Sequence, residues 1–304
     1  MVSPTALALD EESAAQATQA QSEAFGFDDL ERIGEAYTGQ EDIAGGVDVP
    51  GAFRHVGQTA KDNLGQVVKT AVRSCVLLLA VTLIGAGFAA VAIPDAATAT
   101  LSRAFSGCDQ PNTPFTADEL ASMAIAGKRY TFDDNDREKL DAAIAEANAA
   151  AEADGRAGTL TRESAARSLP ADAISHLDDV YRVASAAKPA LAIVAALCIA
   201  GLAHVAVRIS RRALGRTLMA GGGLVLAAFC ALGAWAAIDF DGLFAAFHSL
   251  FFQAGTWTFP YDSLLITLYP TAFWMSMGGI WLAVTCIASI ICIIVGRLLC
   301  SETE

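Results

Sequence analysis

The sequence predicts an all-α, polytopic membrane protein with four transmembrane helices, a helical extracytoplasmic cap and an interfacial aromatic loop. Three observations carry that expectation. Of 304 residues, 54% are apolar and the mean hydropathy is positive, which sets the chain apart from water-soluble domains. Four apolar runs are long enough to cross a hydrocarbon core, which takes roughly 20 residues at about 1.5 Å of rise each. No stretch alternates apolar and polar residues as a half-buried strand does.

The chain is expected to open with an acidic, disordered cytoplasmic tail over residues 1–66. Between Met1 and Phe53 it carries eleven Asp or Glu and one basic residue, Arg32, and this tail holds much of the net charge of -13. Such a balance argues against nucleic acid as a partner, and the tail's own partner is not specified by its composition. The first apolar run begins only after about 70 residues, so it reads as a retained anchor rather than a cleaved signal.

A membrane domain is expected over 67–299, with spans near 74–93, 186–207, 217–238 and 275–297. Arg54, Lys61, Lys69 and Arg73 precede the first span, Arg208, Arg211, Arg212 and Arg216 fill the second connection, and Arg297 closes the last span. The connection at 239–274 has no Lys or Arg. By the positive-inside rule both termini are cytoplasmic, and the cap (94–185) and outer loop (239–274) share the opposite face of the cell membrane. Gly85, Gly87, Gly221, Gly222, Gly223, Gly278 and Gly279 are small residues that allow close helix contact.

Within the cap, Pro94 and Asp95 mark the exit from the first span. Thr116 with Glu119 has capping-box spacing and opens a short helix toward Gly127. A second helix is expected from Asp136 to Ala153, ended by Gly155, and a third after Pro170 leads into the second span. Pro189 removes one backbone hydrogen bond there and can kink the helix.

The outer loop carries Leu243, Phe244, Phe247, Leu250 and Phe251 at the spacing of one apolar helical face, with His248 at its border. Gly255, Pro260 and Pro270 prevent a continuous span. His248 and His176 are the two histidines expected on the outer face. Asp179 follows His176 by three residues on one helical face, and Asp262 follows His248 in the same loop. A carboxylate beside an imidazole fixes its tautomer and raises its basicity, which suits a general base. A straight helix from Arg208 back to His176 would span about 48 Å, so the two histidines meet only if the helix bends or the cap folds down. His204 reads as an interfacial side chain, and no function is assigned to His55.

Several chemistries find no support. There is no G-x-S-x-G elbow, P-loop, dinucleotide fingerprint or zinc-ligand spacing, so no cofactor or metal is implied. The seven cysteines read mostly as packing residues of the spans, with Cys108 alone outside. Apart from His204 the spans hold no buried ionisable pair, which weakens a transporter reading.

The run Phe247, His248, Leu250, Phe251, Phe252, Trp257, Phe259, Asp262, Leu265, Leu268, Tyr269, Pro270, Phe273 and Trp274 resembles the hallmark of the bacterial lipoprotein intramolecular transacylases, the Lit family. His176-Leu177-Asp178-Asp179-Val180 resembles that family's other histidine motif, and the resemblance covers roughly residues 70–299. It implies a catalytic dyad of His176 and His248, and the spacing of Asp179 adds a supporting carboxylate. It implies a diacylated lipoprotein or membrane lipid as substrate, met by Phe247, Phe251, Phe252, Trp257, Asp262 and Tyr269. The family reaction moves an acyl chain from the sn-2 oxygen of a diacylglyceryl-cysteine to the α-amino group of the same cysteine. The alternative is a non-enzymatic membrane protein that binds a partner through its tail or cap.

Overall fold

The computed structural model describes residues 49–110 and 112–301. The chain divides between Lys69 and Thr70, and the features below belong to the part from Thr70 onward unless stated. Helix α1 (Val49–Ala92) begins inside the segment expected to be disordered, and residues 1–48 of that tail lie outside the described residues. All regular structure among the described residues is helical.

Among the described residues four helices are long and apolar enough to cross a membrane: Gly65–Ala92 within α1, Ala171–Ile209, Arg211–Ile238 and Thr271–Ser301. The second joins α5 (Ala171–His204) to a single π-helical turn (Val205–Ile209); the third is α6 (Arg211–Ile238) and the fourth α9 (Thr271–Ser301). Helix α5 starts well before residue 186 because the cap's last helix and the second span are one continuous rod. Pro189 lies inside it without ending it. From Pro189 to Val207 the rod has no Asp, Glu, Lys or Arg, whereas its first turns carry Asp172, Asp178, Asp179 and Arg182 and stand outside the apolar crossing.

Glycines set how closely the spans approach. A Cβ at Gly221 would sit 2.6 Å from Leu79 Cδ2, and one at Gly222 would sit 2.6 Å from the Ser289 carbonyl oxygen. Gly85 lies against Leu191 and Gly87 against Thr285, but Gly223, Gly278 and Gly279 have nothing within 4 Å and do not serve as close contacts. The tightest backbone approach is between Gly215 of α6 and Gly296 of α9, where a Cβ on either would lie 2.5 Å from the other's carbonyl oxygen.

The cap comprises α2 (Asp95–Phe105), α3 (Ala117–Phe132), α4 (Arg137–Ala153) and the first turns of α5. Helix α3 opens on the capping box: the Glu119 carboxylate accepts from the Thr116 amide at 2.7 Å and Thr116 Oγ1 accepts from the Glu119 amide at 3.3 Å. Asp136 caps α4 by accepting from the amides of Glu138 and Lys139, and Gly155, at φ +65°, turns the chain after it. Leu120, Met123, Leu140, Ile144 and Leu177 form the apolar centre. Beside it Arg167 is buried to 2% exposure and donates to Asn148, Glu152 and the Leu160 carbonyl, so its charge is matched by partners.

The outer connection divides into two parts that the sequence reading treated as one. Its first part is α7 (Phe240–Ser249) and an aromatic turn. Its second part, α8 (Leu264–Leu268), is built into the cap, where Leu264, Leu265 and Leu268 join the apolar centre. Backbone and side-chain bonds fasten α8 there: the Leu264 amide donates to Ala165 O at 2.7 Å, the Gly107 amide to Thr267 O at 2.8 Å, and the Ser106 hydroxyl to Leu268 O at 2.6 Å.

Candidate active site

Pro170 fixes the entry of α5, which places His176 in its second turn, buried to 8% exposure against the cap. Asp239 caps α7 by accepting from the Gly242 amide at 2.8 Å, and α7 holds His248 in its last turn. The two rings come to 6.1 Å between centroids, with their planes 29° apart. No break in α5 is needed for this meeting. Helix α6, 28 residues long and so about 42 Å, carries the chain back toward the cap, and α7 continues beyond it.

Aromatic rings enclose the pair. Phe244 and Trp257 lie 4.0 and 4.8 Å from His248 between centroids, and Phe252 and Phe259 lie 5.0 and 5.6 Å from His176. Phe244, four residues before His248, follows from helical spacing; Phe259, a member of the run that carries the family resemblance, reaches His176 through the turn after Gly255. Phe247 and Phe251 are 46% and 49% exposed, while Phe252 is half-buried.

The polar contacts define the imidazole states. His248 Nδ1 lies 2.9 Å from the Phe244 carbonyl oxygen, a group that can only accept, so Nδ1 carries the proton and Nε2 keeps its lone pair. His176 Nδ1 and Trp257 Nε1 are buried without a hydrogen-bond partner. Burial pushes His176 down to about 4, the neighbouring His248 adds to that effect, and Asp179 opposes it. Burial lowers His248 as well, opposed by its bond to Phe244. Both rings are therefore neutral at neutral pH.

The carboxylates sit differently from the expectation. Asp179 makes no hydrogen bond to His176; it pairs with Arg182 and lines a cleft of about 380 Å³ with Val183, Phe251, Phe252 and Thr256. The intrahelical arginine, one turn on, captures it first. Asp178 accepts from Tyr130 Oη at 2.5 Å and from Asn135, and burial followed by that carboxylate pushes Tyr130 up to about 12. Asp262 is exposed and has no bond to His248, because the chain has already turned toward the cap. Tyr269 faces neither histidine: its hydroxyl donates to Ala124 O at 2.6 Å, over Gly127, and burial raises its pKa.

Four membrane-length helices, a helical cap and two neutral histidines facing each other define a multi-pass membrane protein with a two-histidine centre. Residues 157–274, which hold both histidines, match the family model described as lipoprotein intramolecular transacylase Lit. Among solved structures it is similar to the Lit of Bacillus cereus: 18% identity, TM-score 0.59, 79% of this chain and 98% of the other covered. A variant of that protein with a histidine replaced by arginine gives 17% identity and TM-score 0.58, covering 81% and 98%. One with alanine there gives 17% and 0.57, covering 80% and 98%. These identities establish a shared fold. No curated protein gives a significant match.

Proposed function

We propose that this chain catalyses intramolecular O-to-N acyl transfer on a diacylglyceryl-modified cysteine at the N-terminus of a lipoprotein. It would work in the cell membrane, with both termini cytoplasmic and the cap outside, as the positions of Arg208, Arg211, Arg212 and Arg216 favour. The observation that carries the reading is the His176–His248 pair with its tautomer set at Phe244.

In this reading His248 Nε2 accepts a proton from the cysteine amine as the nitrogen attacks the sn-2 ester carbonyl. The new C–N bond makes a tetrahedral intermediate, and the C–O bond to glycerol then breaks. The proton removed from nitrogen ends on the sn-2 oxygen, so the reaction is an isomerisation that consumes no water. Neutral His176 faces the same space and donates to the oxygen side of the intermediate. Amine and ester belong to one molecule, so holding them together replaces a covalent enzyme intermediate. The exposed Phe247 and Phe251 offer an apolar face to the acyl chains.

Mass spectrometry of the N-terminal lipopeptide from a reporter lipoprotein tests this, in a host that makes only diacylated forms. Wild type is expected to yield an N-acyl, S-monoacylglyceryl product, and His176→Ala and His248→Ala to yield none while still inserting in the membrane. Product at wild-type levels in both variants would remove the histidine pair from the mechanism.

A further inference from the structure

The cleft beside the histidines has a polar wall that the reaction outlined above leaves without a role. Asp178 and Asp179 are adjacent on α5, yet only one of them is committed to the fold. Asp178 is taken up by Tyr130 and Asn135 of the cap. Asp179 faces the cleft with Arg182, its side chain 28% exposed and that of Arg182 72% exposed. The opposite wall comprises Phe251, Phe252 and Thr256, and Phe252 stands edge-on against His176 at 5.0 Å. Phe252 therefore belongs both to the wall of the cleft and to the rings around His176.

A lipoprotein with a free N-terminus brings a cation to this place. Its α-amino group titrates at roughly 7.7–8.0 in ordinary peptides and is largely an ammonium at neutral pH. The histidines, both neutral, offer no countercharge. Asp179 is the carboxylate that lines the cleft, one helical turn from His176, a spacing that puts neighbouring side chains about 5–6 Å apart at Cβ.

Building on the transacylase reading, we infer that Asp179 is the receptor for the substrate's α-ammonium group, with Arg182 the resting partner that the ammonium displaces or shares. The acyl-bearing glyceryl group then lies toward Phe252 and the histidines. Because Arg182 remains beside the carboxylate, the amine is oriented without being locked as a cation, and a neutral amine can form for the attack. Asp179 thus acts as a binding residue and specifies a free N-terminal amine. It does not serve as the carboxylate that orients His176.

Binding separates this inference from the activity. The full chain carrying His248→Ala, which leaves the amine lipopeptide unconsumed, is titrated with a diacylglyceryl-cysteine lipopeptide and with its desamino analogue. The amine form is expected to bind roughly ten- to a hundredfold more tightly, the weight of one charge-assisted contact. Adding Asp179→Asn should bring the two ligands to within about threefold of each other. Asp179→Glu should restore the discrimination, and Arg182→Gln should preserve it. An undiminished preference for the amine in Asp179→Asn overturns the inference and leaves acyl transfer standing. Failure to bind either ligand, together with no product from wild type, removes both.

Discussion

Of the two facing histidines His176 has the more perturbed environment, and the sign of the perturbation has consequences. Burial holds its folded value near 4, below its ordinary 6.5. Between those values the unfolded chain binds more protons than the folded one, so stability falls as pH drops through that window and is fully present above it. The melting temperature of the purified protein is expected to decline from pH 6.5 to 4, and His176→Gln to flatten the decline. Catalysis should share the trend. With His248 also lowered, kcat/KM is expected to show a histidine inflection below the ordinary histidine value, separate from that of the substrate amine at roughly 7.7–8.0, and the absence of any further inflection below 6.5 would show that the base is not a buried imidazole. The two histidines were legible because few residue types combine a titratable ring with this aromatic setting. Their partners were not. Sequence proximity put Asp179 and Asp262 beside the rings, whereas the α5 arginine and the Phe244 carbonyl, a backbone group with no sequence signature, made the closer contacts.

At the scale of elements, signals from neighbouring residues held and those requiring long-range packing did not. The Thr116–Glu119 box, the Asp136 cap and the Gly155 turn stand where their spacing puts them. The continuation of the cap's last helix into the second span was also readable from the run after Pro170. By contrast, nothing local distinguishes Gly279, which faces open space, from Gly296, which touches the backbone of α6. Gly296→Ala would force a methyl group against the Gly215 carbonyl and Met219. It is expected to destabilise the α6–α9 pair by about 1–3 kcal/mol, read as a lower melting temperature in detergent. Gly279→Ala serves as the control and should leave it unchanged.

For the whole molecule, composition and hydropathy gave the class, four spans and a cap, because a bilayer leaves few ways to bury backbone polar groups. The division of the outer loop was hidden. Residues 264–268 fall in the stretch expected to form an interfacial loop, and their burial among Leu120, Leu140 and Leu177 depends on contacts with residues more than eighty positions earlier. That arrangement imposes an order on biosynthesis. The cap helices α2 to α4 leave the ribosome first, yet part of their core is absent until α5 and α6 have been inserted and Leu264, Leu265 and Leu268 have followed. A nascent chain halted after residue 262 should therefore expose the cap to trypsin at Arg156 and Arg162, while the chain through Ser301 resists. The protein can complete its outer layer only after three of its four membrane passages are made, so an assembly factor or protease acting on the cap has a window that closes with translation of α8.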